Sequence, residues 1–383
     1  MFCAAPFIHS FVSTTGKKFL CCAATRWSNK TRDLDDWEGE DYQYVRNHML
    51  TSDEWLPDCR DCELQEKFDP DQSLRTQMNR IWNEHGKPTL DIDTGNVFGV
   101  PFSYDLRLNN LCNLSCRMCS PESSSQLAKE AEKHPALWPN WSQRDDTFKV
   151  SLGAKNIDWI LKECNFIKNL SLLGGEPTVQ PEVKQLLVKL IECKNTSVKI
   201  HMTTNGTNVN SEFFDLLKQF KNVSIKVSTD SHPDKLEYIR GGANGKKIWE
   251  NIKKISELSW AGNIDLSTTQ VVMPYNLFDF WELGKLVRES SWIKEHQTWL
   301  VYTPHMYSPM YVPKKWKDLA AKIAKENNCY NEEKHVFDGI MIEDENLIYM
   351  QDLKRFTELT DFSRNKYLKD YHPICHEMLE EIT

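Results

Sequence analysis

Strand-like and helix-like segments alternate six times along the middle of the chain, and this alternation constrains the fold more than any other feature. The predicted strands, rich in apolar and β-branched residues, are Ser103–Leu108, Asn169–Leu173, Ser197–Thr203, Asn222–Ser228, Asp265–Met273 and Thr298–Thr303. The predicted helices are Ser123–Lys133, Glu182–Cys193, Ser211–Phe220, Gly245–Leu258, Leu277–Glu289 and Lys314–Glu326. Such alternation is typical of parallel strands joined by crossover helices. Six units do not close an eight-stranded barrel, so the sequence predicts an α/β fold with an open, partial (β/α)6 TIM-like barrel.

Polar and glycine-rich motifs follow the predicted strands. The motifs after the first four strands are Cys112-x3-Cys116-x2-Cys119, Gly174-Gly175-Glu176-Pro177, Thr204-Asn205-Gly206 and Ser228-Thr229-Asp230. Sheets of this kind place their chemistry at the carboxyl ends of the strands. We therefore expect these motifs to share one rim of the barrel.

The three cysteines after the first strand suit an iron–sulfur cluster better than a zinc ion. A [4Fe–4S] cluster has four irons, so three cysteine ligands leave one iron open to another ligand. Structural zinc sites usually use two CxxC pairs, and a disulfide framework needs an oxidising compartment; these are the alternatives. An open iron is a reaction site, and the sequence therefore predicts an enzyme.

The segment 103–305 resembles the core of the radical S-adenosylmethionine (SAM) enzymes, because the four motifs occur in that family's order. The resemblance implies that Cys112, Cys116 and Cys119 ligate three irons of a [4Fe–4S] cluster and that SAM chelates the fourth. It implies reductive cleavage of SAM to a 5′-deoxyadenosyl radical, which abstracts hydrogen from a substrate. A flavodoxin or ferredoxin is the expected electron donor.

The resemblance also implies which residues contact SAM. They are Gly174, Gly175, Glu176, Asn205, Ser228, Asp230 and Arg240. The glycines let the backbone approach the methionine amine, and Glu176 contacts that amine or braces the loop. Ser228 and Asp230 are expected at the ribose hydroxyls, with helix capping as the alternative. Arg240 is expected at the SAM carboxylate, with a surface salt bridge as the alternative.

A second cysteine set lies near the N-terminus, where the spacing is Cys3-x17-Cys21 followed by Cys59-x2-Cys62. Four thiolates complete the coordination of either a [4Fe–4S] cluster or a zinc ion. With Gly16 between the first two cysteines, the pattern resembles the twitch domain, the shortened SPASM domain, which implies an auxiliary [4Fe–4S] cluster. The familiar order places that domain after the radical SAM core, whereas here it comes first.

The remaining cysteines are expected to pack as small apolar side chains. Cys22 adjoins Cys21, and adjacent side chains of an extended segment face opposite sides, so Cys22 is not expected to be a ligand. Cys164 and Cys193 are predicted on apolar helix faces without partners. Cys329 and Cys375 also lack partner spacing.

Three domains are predicted: a cysteine-rich α+β domain over 1–85, the core over 100–310 and a helical C-terminal extension over 311–383. Within the first, two strands around a Thr-Thr-Gly turn are predicted at Phe7–Val12 and Lys18–Cys21. The long segment 120–156 is a candidate lid or substrate contact, or plain surface.

The bulk composition excludes some functions. Lys and Arg number 47 against 55 Asp and Glu, a net charge of −8, which disfavours general nucleic-acid binding. No signal peptide or membrane span is expected, and the predicted location is the cytoplasm. A non-catalytic iron–sulfur or zinc protein for electron transfer or scaffolding is the alternative function. The substrate, whether peptide, sugar or nucleotide-like, is not indicated by any motif.

Overall fold

The computed structural model describes residues 1–16, 18–24, 37–67, 70–71, 73–86, 88–91, 97–139, 160–162, 164–259 and 263–382. The chain divides into two compact units. The first unit comprises Met1–Asn110, Val150–Met202 and Ser211–Val223, and the second comprises Leu111–Lys149, Thr203–Asn210 and Ser224–Thr383. Each unit is described separately below.

Eight of the described strands belong to one mixed, mostly parallel sheet. The strands are β1 (His9–Val12), β2 (Lys18–Phe19), β3 (Thr89–Leu90), β4 (Val97–Phe98), β5 (Ser103–Leu106), β6 (Ser115–Cys116), β7 (Asn169–Leu172), β8 (Lys199–Thr204), β9 (Asn222–Ser228), β10 (Arg240–Gly241), β11 (Ile264–Val272) and β12 (Glu295–Leu300). In the first unit the strand order is β2–β1–β5–β7–β8, and in the second it is β9–β11–β12. The order follows the chain from β5 onwards, as expected for successive strand–helix units.

The helices are α1 (Ala5–Ile8), α2 (Glu40–Thr51), α3 (Arg60–Glu66), α4 (Leu74–His85), α5 (Ser125–Lys133), α6 (Pro181–Glu192), α7 (Ser211–Leu217), α8 (Leu236–Ile239), α9 (Gly245–Ser259), α10 (Phe280–Glu289), α11 (Lys314–Glu326), α12 (Lys334–Ile340), α13 (Leu347–Arg364), α14 (Leu368–Tyr371) and α15 (Pro373–Glu381). Side-chain caps fix several of their starts. Ser73, Ser124 and Asn346 accept hydrogen bonds from the first-turn N–H groups of α4, α5 and α13. Such caps satisfy donors that have no partner inside the helix.

The six predicted strands are all present as β5, β7, β8, β9, β11 and β12. The sixth strand was predicted at Thr298–Thr303, three residues too late in the chain, because β12 begins at Glu295 and ends at Leu300. The sheet itself is larger than the six strands predicted. Hairpin strand β1 pairs in parallel with β5, from His9 opposite Ser103 to Val12 opposite Leu106. All four β1 residues are buried, as befits a strand inside a sheet.

The short helix α1 occupies positions predicted as the start of a strand. Phe7 lies within α1, and its ring packs edge-on against Trp82 of α4, with centroids 5.5 Å apart. Phe2 stacks on Phe7 at 5.8 Å. This aromatic group forms part of the core of the first unit, together with Tyr42 and Met49 of α2. The ring packing holds this helical turn in the core, and Pro6 lies in its first turn, where proline is compatible with a helix.

The expectation that Cys164 and Cys193 lack partners was wrong, because the two form a disulfide. Neither residue lies inside a helix; Cys193 caps the C-terminus of α6. Asn195 brings the segments together, since its Nδ2 donates to the carbonyl oxygens of Cys164 at 2.7 Å and Ile167 at 2.8 Å. The two cysteines are 29 residues apart in the sequence, and this spacing does not match a motif that would predict their pairing.

Apolar side chains of β11, α10 and the C-terminal helices form the core of the second unit. Tyr275, Tyr307, Phe337 and Met350 are almost completely buried there. Among the residues that the structure describes, no helix has the length and apolar character needed to cross a membrane.

Candidate functional site

The three-cysteine loop lies in the second unit and is held by backbone pairing. Strand β6 pairs with β10 in antiparallel register, with Cys116 opposite Arg240 and Ser115 opposite Gly241. A Cβ atom at Gly241 would lie 2.6 Å from Ser115 Oγ, so only glycine permits this close pairing. Ser125 holds the start of the loop, because its Oγ accepts from Cys112 N at 3.1 Å and donates to Cys112 O at 3.0 Å.

The thiol of Cys116 lies within electrostatic reach of those of Cys112 and Cys119. The pKa of the Cys116 thiol is raised to about 12, mainly by burial; Arg240 opposes the rise, and Cys119 and Cys112 add to it. A metal ion or cluster would displace these protons, since thiolates are the binding form. Three sulfur donors on one loop match the chemistry of an iron–sulfur site. Within the described ranges, no three side chains of His, Cys, Asp or Glu are arranged closely enough to hold a metal ion.

Arg240 and Asp230 form a buried pair beside this loop. Arg240 Nε donates to Asp230 Oδ2 at 2.7 Å, and its Nη1 lies 4.0 Å from Cys116 Sγ. Asp230 is 1 % exposed, and its Oδ1 accepts from Val271 N at 3.0 Å. Both carboxylate oxygens therefore have protein partners, and the pair brings a guanidinium to the cysteine loop. Ser228 ends β9 and is half-buried.

Asn205 connects its own turn to the cysteine loop. Its Nδ2 donates to Asn113 Oδ1 at 2.9 Å, and its Oδ1 accepts from Thr207 N at 3.0 Å. Asn113 in turn donates to Thr207 Oγ1 at 2.7 Å. Gly206 has a φ of +71°, and a Cβ there would lie 2.8 Å from Val227 Cγ1. The predicted Thr-Asn-Gly motif thus positions the loop between Cys112 and Cys116.

The Gly-Gly-Glu-Pro loop lies in the first unit and requires its glycines. Gly174 and Gly175 have φ values of +74° and +54°. A Cβ at Gly174 would lie 2.5 Å from Arg107 Cβ. Glu176 is 1 % exposed, and its Oε1 accepts from Thr178 N at 3.2 Å and from Thr178 Oγ1 at 2.6 Å. Glu176 therefore braces the loop, which is one of the two roles predicted for it.

All four N-terminal cysteines line one cavity in the first unit. Cys3 precedes α1, Cys21 follows β2, Cys59 ends a 3-10 turn and Cys62 lies on α3. Apolar side chains complete the lining; they include Leu20, Met49, Leu56, Leu74 and Met78. The fold thus brings together four thiols from three separated parts of the chain, as the sequence predicts for a metal site.

Burial raises the pKa of each of these thiols, and each interacts electrostatically with at least one of the others or with nearby carboxylates. Backbone N–H groups oppose this effect at Cys62, which accepts hydrogen bonds from Arg75 and Leu74. Both belong to the first turn of α4, whose partial positive charge favours a thiolate. Arg75 also forms a two-point ion pair with Glu66, at 2.8 and 2.6 Å.

Cys22 does not line this cavity. Its side chain hydrogen-bonds Asp105, a buried residue of β5 whose pKa is raised by burial. The Cys22 thiol therefore contacts β5, whereas the other four thiols line the cavity.

A buried arginine network behind the three-cysteine loop was not anticipated from the sequence. Arg117, between Cys116 and Cys119, is fully buried; its Nε donates to Tyr238 O at 2.9 Å and its Nη2 to Asp361 Oδ1 at 2.6 Å. Tyr307 Oη donates to Arg117 O at 2.6 Å. The sequence offered one signal for this network, a charged residue between two of the cysteines. If such a side chain is buried, it needs a partner.

Residues 106–287 match the family model described as the Radical SAM superfamily. The chain is 26% identical over 163 residues to the sporulation killing factor maturation protein SkfB of Bacillus subtilis (strain 168), covering 41% of this chain and 33% of SkfB. It is 24% identical over 214 residues to the subtilosin biosynthesis protein AlbA of the same organism, covering 56% and 42%. It is 30% identical over 159 residues to the GTP 3′,8-cyclase of Peptoclostridium acidaminophilum, covering 39% and 43%. The matches thus span less than half the length of each relative.

Two solved structures align with a TM-score of 0.40 each. Streptococcus suis SuiB bound to S-adenosylmethionine is 18% identical, with 61% of this chain and 48% of that chain covered. Native anSMEcpe with bound AdoMet is 16% identical, with 64% of each chain covered.

Proposed function

We propose, because residues 106–287 match the family model described as the Radical SAM superfamily, that Cys112, Cys116 and Cys119 hold a [4Fe–4S] cluster. When bound, such a cluster would pass one electron from the proposed flavodoxin or ferredoxin to SAM, for cleavage to methionine and a hydrogen-abstracting 5′-deoxyadenosyl radical. The observation that carries the proposal is the location of the three cysteines on one loop inside the matched segment, with Arg240 Nη1 4.0 Å from Cys116 Sγ.

The surrounding residues of the second unit would hold this loop in place. Ser125 and Asn205 fix the backbone on either side of Cys112, and β10 fixes Cys116. The Arg240 guanidinium lies close enough to Cys116 to offset part of the negative charge of a cluster with thiolate ligands. Its pairing with Asp230 keeps that guanidinium oriented.

The contacts with SAM remain proposals drawn from the family resemblance. Gly174, Gly175 and Glu176 are assigned to the methionine amine, and Asn205 to the same rim. Ser228 and Asp230 are assigned to the ribose. Asp230 already accepts two protein hydrogen bonds, so a ribose hydroxyl would use a remaining lone pair of its carboxylate. Arg240 is assigned to the carboxylate of SAM, because a guanidinium pairs well with a carboxylate.

We further propose that Cys3, Cys21, Cys59 and Cys62 hold an auxiliary [4Fe–4S] cluster in a twitch-like domain. The support is the cavity that all four line and the N–H groups of α4 that point to Cys62. Hydrogen bonds to cluster sulfurs tune the reduction potential of such sites. A zinc ion is the alternative occupant, because four thiolates also satisfy tetrahedral zinc.

We propose an electron donor and a location for the protein, and we leave the substrate class open at this point. The printed names of the relatives include a killing-factor maturation protein, a bacteriocin biosynthesis protein and a GTP cyclase. These names span peptide-related and nucleotide chemistry, so they do not choose a substrate. A flavodoxin or ferredoxin in the cytoplasm is the proposed source of electrons.

Electron paramagnetic resonance of the anaerobically reconstituted, reduced protein tests the three-cysteine site. Adding SAM is expected to change the signal of a cluster with an open iron, and Cys116→Ala is expected to abolish that change. Cys329→Ala is the matched control, because Cys329 is buried outside both cysteine sets. A SAM-dependent change that persists in Cys116→Ala would refute the ligand assignment.

A further inference from the structure

A cavity in the second unit opens directly beside the three-cysteine loop. Its lining begins at Ser120, the residue after Cys119, and includes Trp138, Met306, Asp352, Arg355 and Phe356. The volume of the cavity is about 630 Å³. Pockets that enclose a small molecule are usually about 300–1,000 Å³, so this cavity has room for a few side chains of a ligand.

Apolar and aromatic side chains form one wall. Trp138 and Phe356 meet edge to face, with ring centroids 5.6 Å apart and an angle of 77° between the rings. Met306 and Leu359 extend the same wall. Such a wall favours a ligand that buries an apolar side chain, because each apolar group removed from water stabilises the complex.

The charged side chains around the cavity are Glu122, Asp352 and Arg355. Two carboxylates and one guanidinium give the lining a formal charge of −1. A nucleotide triphosphate would therefore meet repulsion at this surface, whereas a basic side chain would meet attraction. Asp352 and Arg355 lie three residues apart on the exposed side of α13, where both can reach a ligand.

We propose that this cavity is a specificity subsite for a peptide substrate: the Trp138–Phe356 wall receives a bulky apolar side chain, and Glu122 and Asp352 favour a neighbouring basic residue. The proposal rests on the proposed radical SAM function and deepens it by naming the substrate class. Its position next to Cys119 would hold such a peptide close to the reacting centre.

Selection from a random dodecapeptide display library on the anaerobically reconstituted holoprotein tests this subsite. The enriched peptides are expected to share a bulky apolar residue next to Lys or Arg. Their affinity for Trp138→Ala is expected to fall roughly tenfold or more, the equivalent of losing one buried apolar contact. Trp292→Ala is the matched control, because Trp292 pairs with Trp249 away from the cavity lining.

Asp352→Lys provides a second variant, since Asp352 is exposed and its replacement does not disturb the core. This variant changes the formal charge of the lining from −1 to +1 and is expected to shift the selected peptides from basic to acidic neighbours. The subsite is refuted if no peptide is enriched, if enriched peptides bind Trp138→Ala as tightly as the wild type, or if GTP binds in a Trp138-dependent manner. SAM cleavage by the wild type, measured separately, shows whether the radical SAM function stands when the subsite fails.

Discussion

Arg117 and Asp361 form a buried ion pair across 244 residues of sequence, with Arg117 Nη2 2.6 Å from Asp361 Oδ1. The guanidinium lies 3.8 Å from the centroid of the Tyr238 ring, and Tyr238 Oη donates to the same carboxylate oxygen at 2.9 Å. Because Arg117 stands between Cys116 and Cys119, helix α13 is anchored to the cysteine loop within the second unit. Helix α13 is therefore part of the structure that positions this loop.

Removing the acid of this pair should destabilise the protein. Asp361→Ala leaves a fully buried guanidinium without its charge partner, which costs roughly 3–5 kcal/mol of unfolding free energy. Thermal unfolding and iron content after reconstitution are the measurements, and both are expected to fall. Glu358→Ala, on the exposed side of the same helix, is the control and is expected to behave as the wild type. Equal melting temperatures for Asp361→Ala and the wild type would contradict the anchoring role.

The iron content separates the two cysteine sets. Two [4Fe–4S] clusters hold about eight irons per chain, and Cys59→Ala is expected to leave about four. Cys22→Ala is the matched control, because Cys22 adjoins Cys21 but faces Asp105. About four irons with one zinc ion in the wild type, and loss of the zinc in Cys59→Ala, would show that the N-terminal site is a zinc site.

Gly174→Ala tests the close packing of the Gly-Gly-Glu loop. The substitution adds a Cβ 2.5 Å from Arg107 Cβ and 3.1 Å from Arg107 Cα at a φ of +74°. Backbone strain at positive φ costs about 1–2 kcal/mol, and the clash adds to it because a backbone atom cannot move aside. Gly242→Ala carries the strain without the clash, since its nearest neighbour would be 3.7 Å away at a φ of +87°.

Urea denaturation measures both glycine variants. Gly174→Ala is expected to unfold at lower urea concentration than Gly242→Ala, and its difference from the wild type is expected to be the larger of the two. The same midpoint for both variants would show that the contact with Arg107 imposes no constraint.

Local patterns predicted the features that short stretches of chain create. The strand–helix periodicity predicted β5, β7, β8, β9, β11 and β12, and the close spacing of Cys112, Cys116 and Cys119 predicted one loop with three thiols. The four N-terminal cysteines were predicted as a set because their spacing resembled a known domain. The first two features depend on residues whose neighbours along the chain already indicate the structure, whereas the N-terminal set, spread from Cys3 to Cys62, was predicted from the resemblance.

Contacts between distant segments had no such signal. Arg117 finds its partner 244 residues away, and the Cys164–Cys193 disulfide depends on how Asn195 brings two turns together. The addition of β1 to the sheet depends on burial of all four of its residues, which a four-residue stretch does not reveal. The Arg240–Asp230 pair shows the same limit. The sequence alone does not reveal whether these two side chains pair in the interior or at the surface.

Formation of 5′-deoxyadenosine from SAM tests the central claim most directly. The anaerobically reconstituted protein, supplied with dithionite or a reduced flavodoxin, is expected to convert SAM to 5′-deoxyadenosine and methionine, as liquid chromatography with mass detection would show. Cys116→Ala is expected to produce none above background, whereas Cys329→Ala is expected to retain the wild-type rate. A protein carrying its full complement of iron that forms no 5′-deoxyadenosine, or a Cys116→Ala variant that forms it at the wild-type rate, would contradict the account.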